Sequence, residues 1–313
     1  ELAKTIETSD EWIQQRTGIQ ERRHVDFEKE PMGSSDLAVR AAKNALADAG
    51  CPATDIDFII YATLSPDRNF PGDGVLVGAK LDIPGVPALD IRNQCSGFLY
   101  GLQVADAFIK AGMYKRILLI GSEVHSTGLD FTDRGRDVAV IFGDGAGAAV
   151  LGPSSDEGQG ILSIALHADG RFADELQLAY PSSAVMPRIT EADIRAGKHY
   201  PRMNGKNVFK HAVARMPEVV GEVLAASGFT AQDLDMLIPH QANLRISEMV
   251  QKRLELPDHK VFNNIQKYGN TTAASIPLAL DEAVRQGKVK RGDLVCLAAF
   301  GAGFTWGGAL LRY

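Results

Sequence analysis

The chain repeats itself, and the repeat constrains its fold more than any other feature. The segment Ala41-Ala42-Lys43-Asn44-Ala45-Leu46-Ala47-Asp48-Ala49-Gly50 has helical character and ends on glycine. It leads through Asp55-Ile56-Asp57-Phe58-Ile59-Ile60 into a strand. Later, Val223-Leu224-Ala225-Ala226-Ser227-Gly228 leads through Asp233-Leu234-Asp235-Met236-Leu237-Ile238. Gly50 and Gly228, Asp55 and Asp233, Asp57 and Asp235, and Ile60 and Ile238 each stand 178 apart by subtraction. A second echo follows: Leu81-Asp82-Ile83-Pro84 precedes the strand that ends near Cys95, and Leu254-Glu255-Leu256-Pro257 precedes Val261-Phe262-Asn263-Asn264-Ile265. Each of those strands runs into a helix, then an apolar strand (116–121; 293–300), then a Gly-rich strand (145–151; 303–311). Alternation of this kind gives mixed or parallel sheets with helices on both faces. Two packed copies predict an α/β protein of two pseudo-symmetric halves, 1–155 and 156–313, in five layers: helix, sheet, helix, sheet, helix. The second half opens with a strand, 160–168, before its helix near Val208, whereas nothing comparable precedes the helix at Leu37. A strand upstream of Glu1 is therefore expected.

Composition narrows the class. Hydrophobic content of 45% with 23% charged residues suits a globular protein with a large core. A net charge of −6 argues against general nucleic-acid binding. Cys51, Cys95 and Cys296 are widely spaced, without metal-ligand spacing or a disulfide framework, so a reducing cytosol is the default. No apolar run approaches the roughly 18 residues of a membrane span.

Cys95 carries the chemical interest. It stands in Leu89-Asp90-Ile91-Arg92-Asn93-Gln94-Cys95-Ser96-Gly97-Phe98, where a strand-like run stops and an apolar helix (96–111) begins. A thiol at a helix N-terminus feels the positive end of the macrodipole, which predicts a lowered pKa. The competing reading is a small buried apolar residue. Cys296 lies in an apolar strand and reads as core, and Cys51, after Gly50, as a solvent-side loop residue.

Two further loops lie at strand carboxyl ends, where open α/β sheets bind ligands. One is Pro239-His240-Gln241-Ala242-Asn243; the other is Lys267-Tyr268-Gly269-Asn270-Thr271-Thr272-Ala273-Ala274-Ser275. Pseudo-two-fold packing would bring them to Cys95, setting a thiol, an imidazole and a carboxamide around one small volume. His240 could equally be a hydrogen-bonded loop histidine, and Asn270 only a helix cap. The amides of Gly301-Ala302-Gly303 could form a plain turn or bind an oxyanion.

Six motifs, in order, carry a resemblance. They are Thr8-Ser9-Asp10-Glu11-Trp12-Ile13 with Arg16-Thr17-Gly18-Ile19, Cys95-Ser96-Gly97-Phe98, Phe142-Gly143-Asp144-Gly145-Ala146-Gly147-Ala148, Pro239-His240-Gln241-Ala242-Asn243-Leu244-Arg245, Tyr268-Gly269-Asn270-Thr271, and Phe300-Gly301-Ala302-Gly303-Phe304-Thr305-Trp306-Gly307. From Thr8 to the last residue the chain resembles β-ketoacyl-acyl carrier protein synthase III, of the thiolase superfamily. The resemblance implies a thiolase-like fold and a Cys95, His240, Asn270 triad. In that reading Cys95 takes an acyl group from acyl-CoA, with the oxyanion held by its own amide and one from Ala302 or Gly303. Malonyl-acyl carrier protein then loses carbon dioxide while His240 and Asn270 hold the thioester oxygen, and the carbanion attacks acyl-Cys95 to give a 3-oxoacyl product. The resemblance also implies that Trp12 and Arg134 sandwich the CoA adenine, with Arg16 near its phosphates. It puts Gly205, Phe209 and Asn243 along the pantetheine tunnel. Phe70 would cross a homodimer interface to close the partner's acyl pocket. Lys210, Arg245, Lys252 and Arg253 would dock the acidic carrier protein; the same charges also suit an ordinary solvated helix face. No metal or resident cofactor is implied, because the coenzyme A thioester is a substrate.

Three departures concern the acyl pocket. Arg92, Asn93 and Gln94 are larger and more polar than the small residues expected before the cysteine, Ala302 replaces an expected glycine, and residues 182–202 form a longer insertion than in the shortest members. They leave acyl-chain preference open. A thiolase would need an acid/base cysteine in the Gly301-Ala302-Gly303-Phe304 loop, which has none. A starter-unit or acyl-CoA condensing synthase of secondary metabolism keeps the same triad and is the competitor. A Cys-His-Asn hydrolase and a non-enzymatic scaffold are weaker readings.

Overall fold

The computed structural model describes residues 1–313 except Ser155 and Glu157. The expected division at 155/156 thus falls on Ser155, outside the described residues. In chain order the strands are β1 (Phe58–Ala62), β2 (Ala88–Ile91), β3 (Ile117–Glu123), β4 (Gly145–Leu151), β5 (Gly160–Ala168), β6 (Leu176–Gln177), β7 (Arg202–Met203), β8 (Met236–Pro239), β9 (Leu294–Gly301) and β10 (Thr305–Arg312). The helices are α1 (Asp10–Thr17), α2 (Ser34–Asp48), α3 (Asp73–Lys80), α4 (Gly97–Lys110), α5 (Arg136–Ala139), α6 (Glu191–Arg195), α7 (Gly205–Ala226), α8 (Leu244–Arg253), α9 (Ile265–Tyr268) and α10 (Ser275–Arg285).

Two four-stranded sheets result, ordered β2-β1-β3-β4 and β5-β10-β9-β8. In each, the first strand of the repeat pairs in parallel with the later apolar strand (β1 with β3, β8 with β9), and the Gly-rich strand returns antiparallel (β4 on β3, β10 on β9). The second sheet is closed on one side by β5, antiparallel to β10. The equivalent edge of β4 has no partner strand among the described residues. A cavity of about 560 Å³ lies against β4, lined in part by Ala45, Leu102, Ala148, Leu278 and Tyr313.

Alternate residues of each inner strand enter different cores, as the pleat requires. Ile60, Ile117 and Leu119 face Leu297, Val295 and Ile238 of the other sheet across α4 and α10. Ile59, Tyr61, Leu118 and Ile120 pack under α2 and α3. Leu237, Cys296, Ala298 and Phe300 pack under α7 and α8. The order is helices, sheet, central helix pair, sheet, helices, which is the expected five layers. Strands buried on both faces explain why β1, β3 and β9 read as unbroken apolar runs.

The repeat is visible in individual hydrogen bonds. Asp57 accepts from the amides of Lys115 and Arg116 at the start of β3, and Asp235 accepts from Leu294 at the start of β9. Gly50 and Gly228 both take positive φ after their helices. Asp82 and Glu255 do the same in the second echo. Gln94 and Thr272, again 178 apart, are the remaining non-glycine residues at positive φ among the described residues, at +42° and +50°.

Two local expectations are corrected. Cys51 is buried under α2 rather than facing solvent, because its turn folds back against Leu46 and Ile56. The segment 261–265 is not a strand; only Val261 bridges Leu237. The Gln241 carboxamide oxygen takes the amides of Asn264 and Ile265, which removes them from any ladder.

Candidate active site

Cys95 lies in a 3₁₀ turn, Gln94–Ser96, between β2 and α4. Positive φ at Gln94 makes that turn sharp, so the thiol is presented inward instead of along the helix. Ser96 donates its hydroxyl to Asn93 O and pairs with Thr305 Oγ1, which fixes the turn on β10. Gly301, at the end of β9, touches the nucleophile: a Cβ there would lie 2.5 Å from Cys95 Cβ and 2.9 Å from Sγ. Arg92 is exposed and Asn93 and Gln94 are half-buried, just before the buried thiol.

The electrostatics differ from the expectation. Burial, and then the Glu123 carboxylate, push the Cys95 thiol up to about 12. The amides of Cys95 and Ala302 and the Thr272 hydroxyl pull the other way. Desolvation outweighs the helix-start effect because no solvent reaches the sulfur. The resting residue is a thiol ringed by donors. Glu123 is itself buried and pushed up to about 7, chiefly by desolvation. It accepts from Thr63, Leu64 and Ser65 of the loop after β1, and from the Ala273 amide.

His240 follows β8, its amide donating to Ala298 O. Its Nδ1 is 2.6 Å from Ser275 Oγ, and Ser275 Oγ also accepts the Gln241 amide. In the tautomer in which Ser275 Oγ donates to Nδ1, the imidazole carries its proton on Nε2. That Nε2 is buried and has no hydrogen-bond partner. Burial pushes His240 down to about 3, so the ring is neutral. Asn270 is held by its backbone to Ile141 and Gly143, and its Oδ1 accepts the Thr272 amide at 2.8 Å. What remains for Asn270 to offer is its carboxamide NH₂. One short segment, Asn270 to Ser275, therefore packs its 3₁₀ turn Thr272–Ala274 on the Cys95 turn and reaches His240 through Ser275. The sequence reading brought the triad residues to this region; it passed over Thr272 and Ser275 because a hydroxyl residue in a loop carries no signal of its own.

The outer residues are more mixed. Trp12 is not paired with Arg134; Arg136 lies 5.2 Å and Arg16 5.5 Å from its ring. Arg134 stands 5.8 Å from the Tyr200 ring and pairs with Asp130 at 2.6 Å, since its loop packs against the 182–202 insertion at Arg195 and Gly197. Arg136, beside the Trp12 ring, is a residue that the sequence reading passed over. Asn243 caps α8 and donates to Arg16 O, fastening the Trp12 helix to α8. Its carboxamide thus makes one bond within the chain at each end. Gly205 opens α7 and Phe209 lies one turn on. Phe70 is 84% exposed. Lys210 on α7 and Arg245, Lys252 and Arg253 on α8 are exposed and form no ion pair among the described residues.

A duplicated α/β unit in five layers, with a buried thiol where the turns of the two sheets meet, is the architecture of thiolase-fold condensing enzymes. Residues 89–170 match the family described as 3-oxoacyl-[acyl-carrier-protein (ACP)] synthase III, and residues 224–313 its C-terminal part. A β-ketoacyl-[acyl-carrier-protein] synthase III of Laribacter hongkongensis is 48% identical over all of this chain and 93% of its own length. The 3-oxoacyl-[acyl-carrier-protein] synthase III of Aquifex aeolicus superposes with a TM-score of 0.89 at 45% identity, covering all of this chain and 94% of that one. The priming β-ketosynthase of the R1128 polyketide pathway gives 0.88 at 32% identity, over 99% and 90%. The chain belongs to the β-ketoacyl-acyl carrier protein synthase III family.

Proposed function

We propose that Cys95, His240 and Asn270 perform the condensation that starts fatty acid synthesis. The enzyme is an acyltransferase of the condensing type, and coenzyme A enters as a substrate thioester. Cys95 attacks the acyl-CoA carbonyl, and the amides of Cys95 and Ala302, which favour negative charge at the thiol, receive the oxyanion. CoA leaves as the free thiol, its sulfur taking up the proton that Cys95 gives up, and acyl-Cys95 remains. Malonyl-acyl carrier protein then places its thioester oxygen between His240 Nε2–H and the Asn270 NH₂. Loss of carbon dioxide puts enolate charge on that oxygen, and the carbanion attacks acyl-Cys95 to give 3-oxoacyl-acyl carrier protein. Decarboxylation needs no base to remove an α-proton, which is why a neutral imidazole suffices.

The observation that carries this reading is the buried, unpartnered His240 Nε2. A buried donor left without a partner is costly, and a substrate oxygen completes it. In H240A and N270A, acylation of Cys95 by acyl-CoA should persist while malonyl-thioester decarboxylation falls by about 10²-fold. Full decarboxylation in both variants would remove the role assignment. The starter-unit alternative is not favoured, since the R1128 enzyme is the more distant relative.

Trp12 with Arg16 and Arg136 forms the adenine end of the CoA path in this reading, Arg134 swinging from Tyr200 to join it. Gly205 and Phe209 line the approach. Lys210, Arg245, Lys252 and Arg253, unneutralised on adjacent helices, dock the acidic carrier protein. Phe70 is buried by a second subunit of a homodimer in the cytoplasm. Among the described residues no helix is long and apolar enough to cross a membrane.

A further inference from the structure

The two amides assigned to the oxyanion come from opposite halves of the chain. Cys95 N belongs to the turn Gln94–Ser96 before α4, and Ala302 N to the turn that joins β9 to β10. Neither turn can set the spacing of the pair alone. Gly301 passes so close to the nucleophile that a Cβ on it would lie 2.5 Å from Cys95 Cβ and 3.3 Å from Cys95 N. Such a contact limits approach, but it does not stop the two turns from sliding or parting. Two buried hydroxyls, 209 residues apart, supply the tie: Ser96 Oγ and Thr305 Oγ1 are separated by 2.6 Å. Ser96 Oγ also lies 3.0 Å from Asn93 O, at the start of the nucleophile turn, and Thr305 Oγ1 lies 3.1 Å from Ala302 O, inside the other. Two hydroxyl protons serve these three contacts, and one of them must lie between the two hydroxyl oxygens. The proton order then runs from Thr305 through Ser96 to Asn93 O, or from Ser96 through Thr305 to Ala302 O. The Ser96–Thr305 bond belongs to both orders.

Thr305 is a firm post for that bond. It opens β10, where its backbone is paired with Gly301 of β9 on one side and Ala168 of β5 on the other. The residue before it, Phe304, exchanges both backbone hydrogen bonds with Asp169 at 2.8 Å, and its ring stacks on Phe172 at 5.2 Å. Ser96 has no such ladder. It ends a 3₁₀ turn that starts on Gln94 at a φ of +42°, and a strained turn keeps its conformation only where its surroundings impose it. We propose that Thr305 is a positioning residue for acyl transfer: through Ser96 it holds the Cys95 amide in register with the Ala302 amide, so that both meet the same oxyanion. The backbone amides remain the donors, and the hydroxyl pair aligns them. Both hydroxyls are buried, so water does not take the place of a lost partner. The inference rests on the proposed acylation of Cys95 by acyl-CoA.

Two reactions of the same sulfur separate donor alignment from thiol reactivity. Transfer from an acyl-CoA passes through a tetrahedral oxyanion, whereas iodoacetamide loses iodide from a saturated carbon and forms none. Both are followed by mass spectrometry of the Cys95 peptide in the full-length parent, T305V, T305S, S96A and the double variant S96A/T305V, with the acyl-CoA that labels the parent fastest. T305V is isosteric and lacks only the hydroxyl. It should cut the maximal acylation rate about tenfold, less than the roughly 10²-fold of a removed oxyanion donor, because both amides remain. The half-saturating acyl-CoA concentration and the alkylation rate should stay at the parental values. T305S keeps the hydroxyl and should recover the parental acylation rate. S96A cuts the same link from the other side, so it should match T305V and serves where T305V folds poorly; the double variant should fall no further than either. Parental acylation in T305V and S96A would overturn the proposal. So would an equal fall in alkylation, which belongs to a threonine that only supports the fold of the turn, or a double variant that multiplies the single losses. A parent that iodoacetamide alkylates on Cys95 and no acyl-CoA labels would instead strike the proposed function, and this role with it.

Discussion

At the residue scale, Gly301 and Cys95 set the tolerance of the site. Because a Cβ on Gly301 would fall inside the van der Waals radius of both Cys95 side-chain atoms, G301A must displace the sulfur or the end of β9. A shift of this size far outweighs a small change in stability, since misplacing a reacting group by about 1 Å costs about 10²-fold. G301A should therefore lose acyl-CoA labelling by about that factor while melting within a few degrees of the parent. Labelling at the parental rate would show that the contact is not restrictive. Cys95, His240 and Asn270 were legible because their residue types are chemically distinctive and the repeat puts their loops at equivalent ends. Ser275, Ser96 and Thr305 were not, because their importance lies in which atoms their hydroxyls meet in distant parts of the chain. The thiol's raised pKa was hidden for the same reason: a helix start can be read from a sequence, and complete desolvation beside Glu123 cannot.

At the element scale, the repeated aspartates act as staples. Asp57 and Asp235 each hold the first amides of the neighbouring strand, β3 and β9, at bonds of 2.7–3.0 Å. Removing either carboxylate leaves those amides to find water at the sheet end, so D57A and D235A should each cost about 1–3 kcal/mol. The two lie in different sheets without shared partners, so the double variant should show their sum. Urea unfolding of the set checks this; a strongly sub-additive double variant would mean the sheets do not respond independently. The strands were readable wherever both faces are buried, as in β1, β3 and β9. The 261–265 segment misled because Val261 and Phe262 look like a strand start, whereas Gln241 removes the next two amides from pairing.

At the scale of the whole molecule, buried ionisable groups of opposite sign are set against each other. His125 and His240, held near 4 and 3, remain neutral when folded, so acidification below 6.5 protonates them preferentially in the unfolded chain and lowers stability. Glu123 and Asp73, raised to about 7 and about 6, hold protons when folded, so their contributions are favourable in acid and are lost as pH rises through those values. The opposed pairs flatten the stability of the parent across this range. In E123Q one acid member is gone, so the variant should gain on the parent between pH 4.5 and 7, on the order of 3 kcal/mol. An offset that is the same at pH 5 and pH 8 would contradict it. The five-layer architecture was legible because it follows from duplication of one α/β unit; the contacts of Arg134 with Tyr200 and Arg195 were not, because they depend on how the 182–202 insertion packs. The central claim is that the buried thiol, with the two neutral donors near it, carries an acyl group from CoA to a malonyl-derived carbanion. The most direct measurement incubates the enzyme with a panel of acyl-CoAs, locates the acyl mass on peptides, and then adds malonyl-acyl carrier protein. The account predicts label on Cys95, none in C95S, and its discharge as 3-oxoacyl-acyl carrier protein; absence of label on Cys95 with every acyl-CoA, or label that malonyl-acyl carrier protein does not discharge, would contradict it.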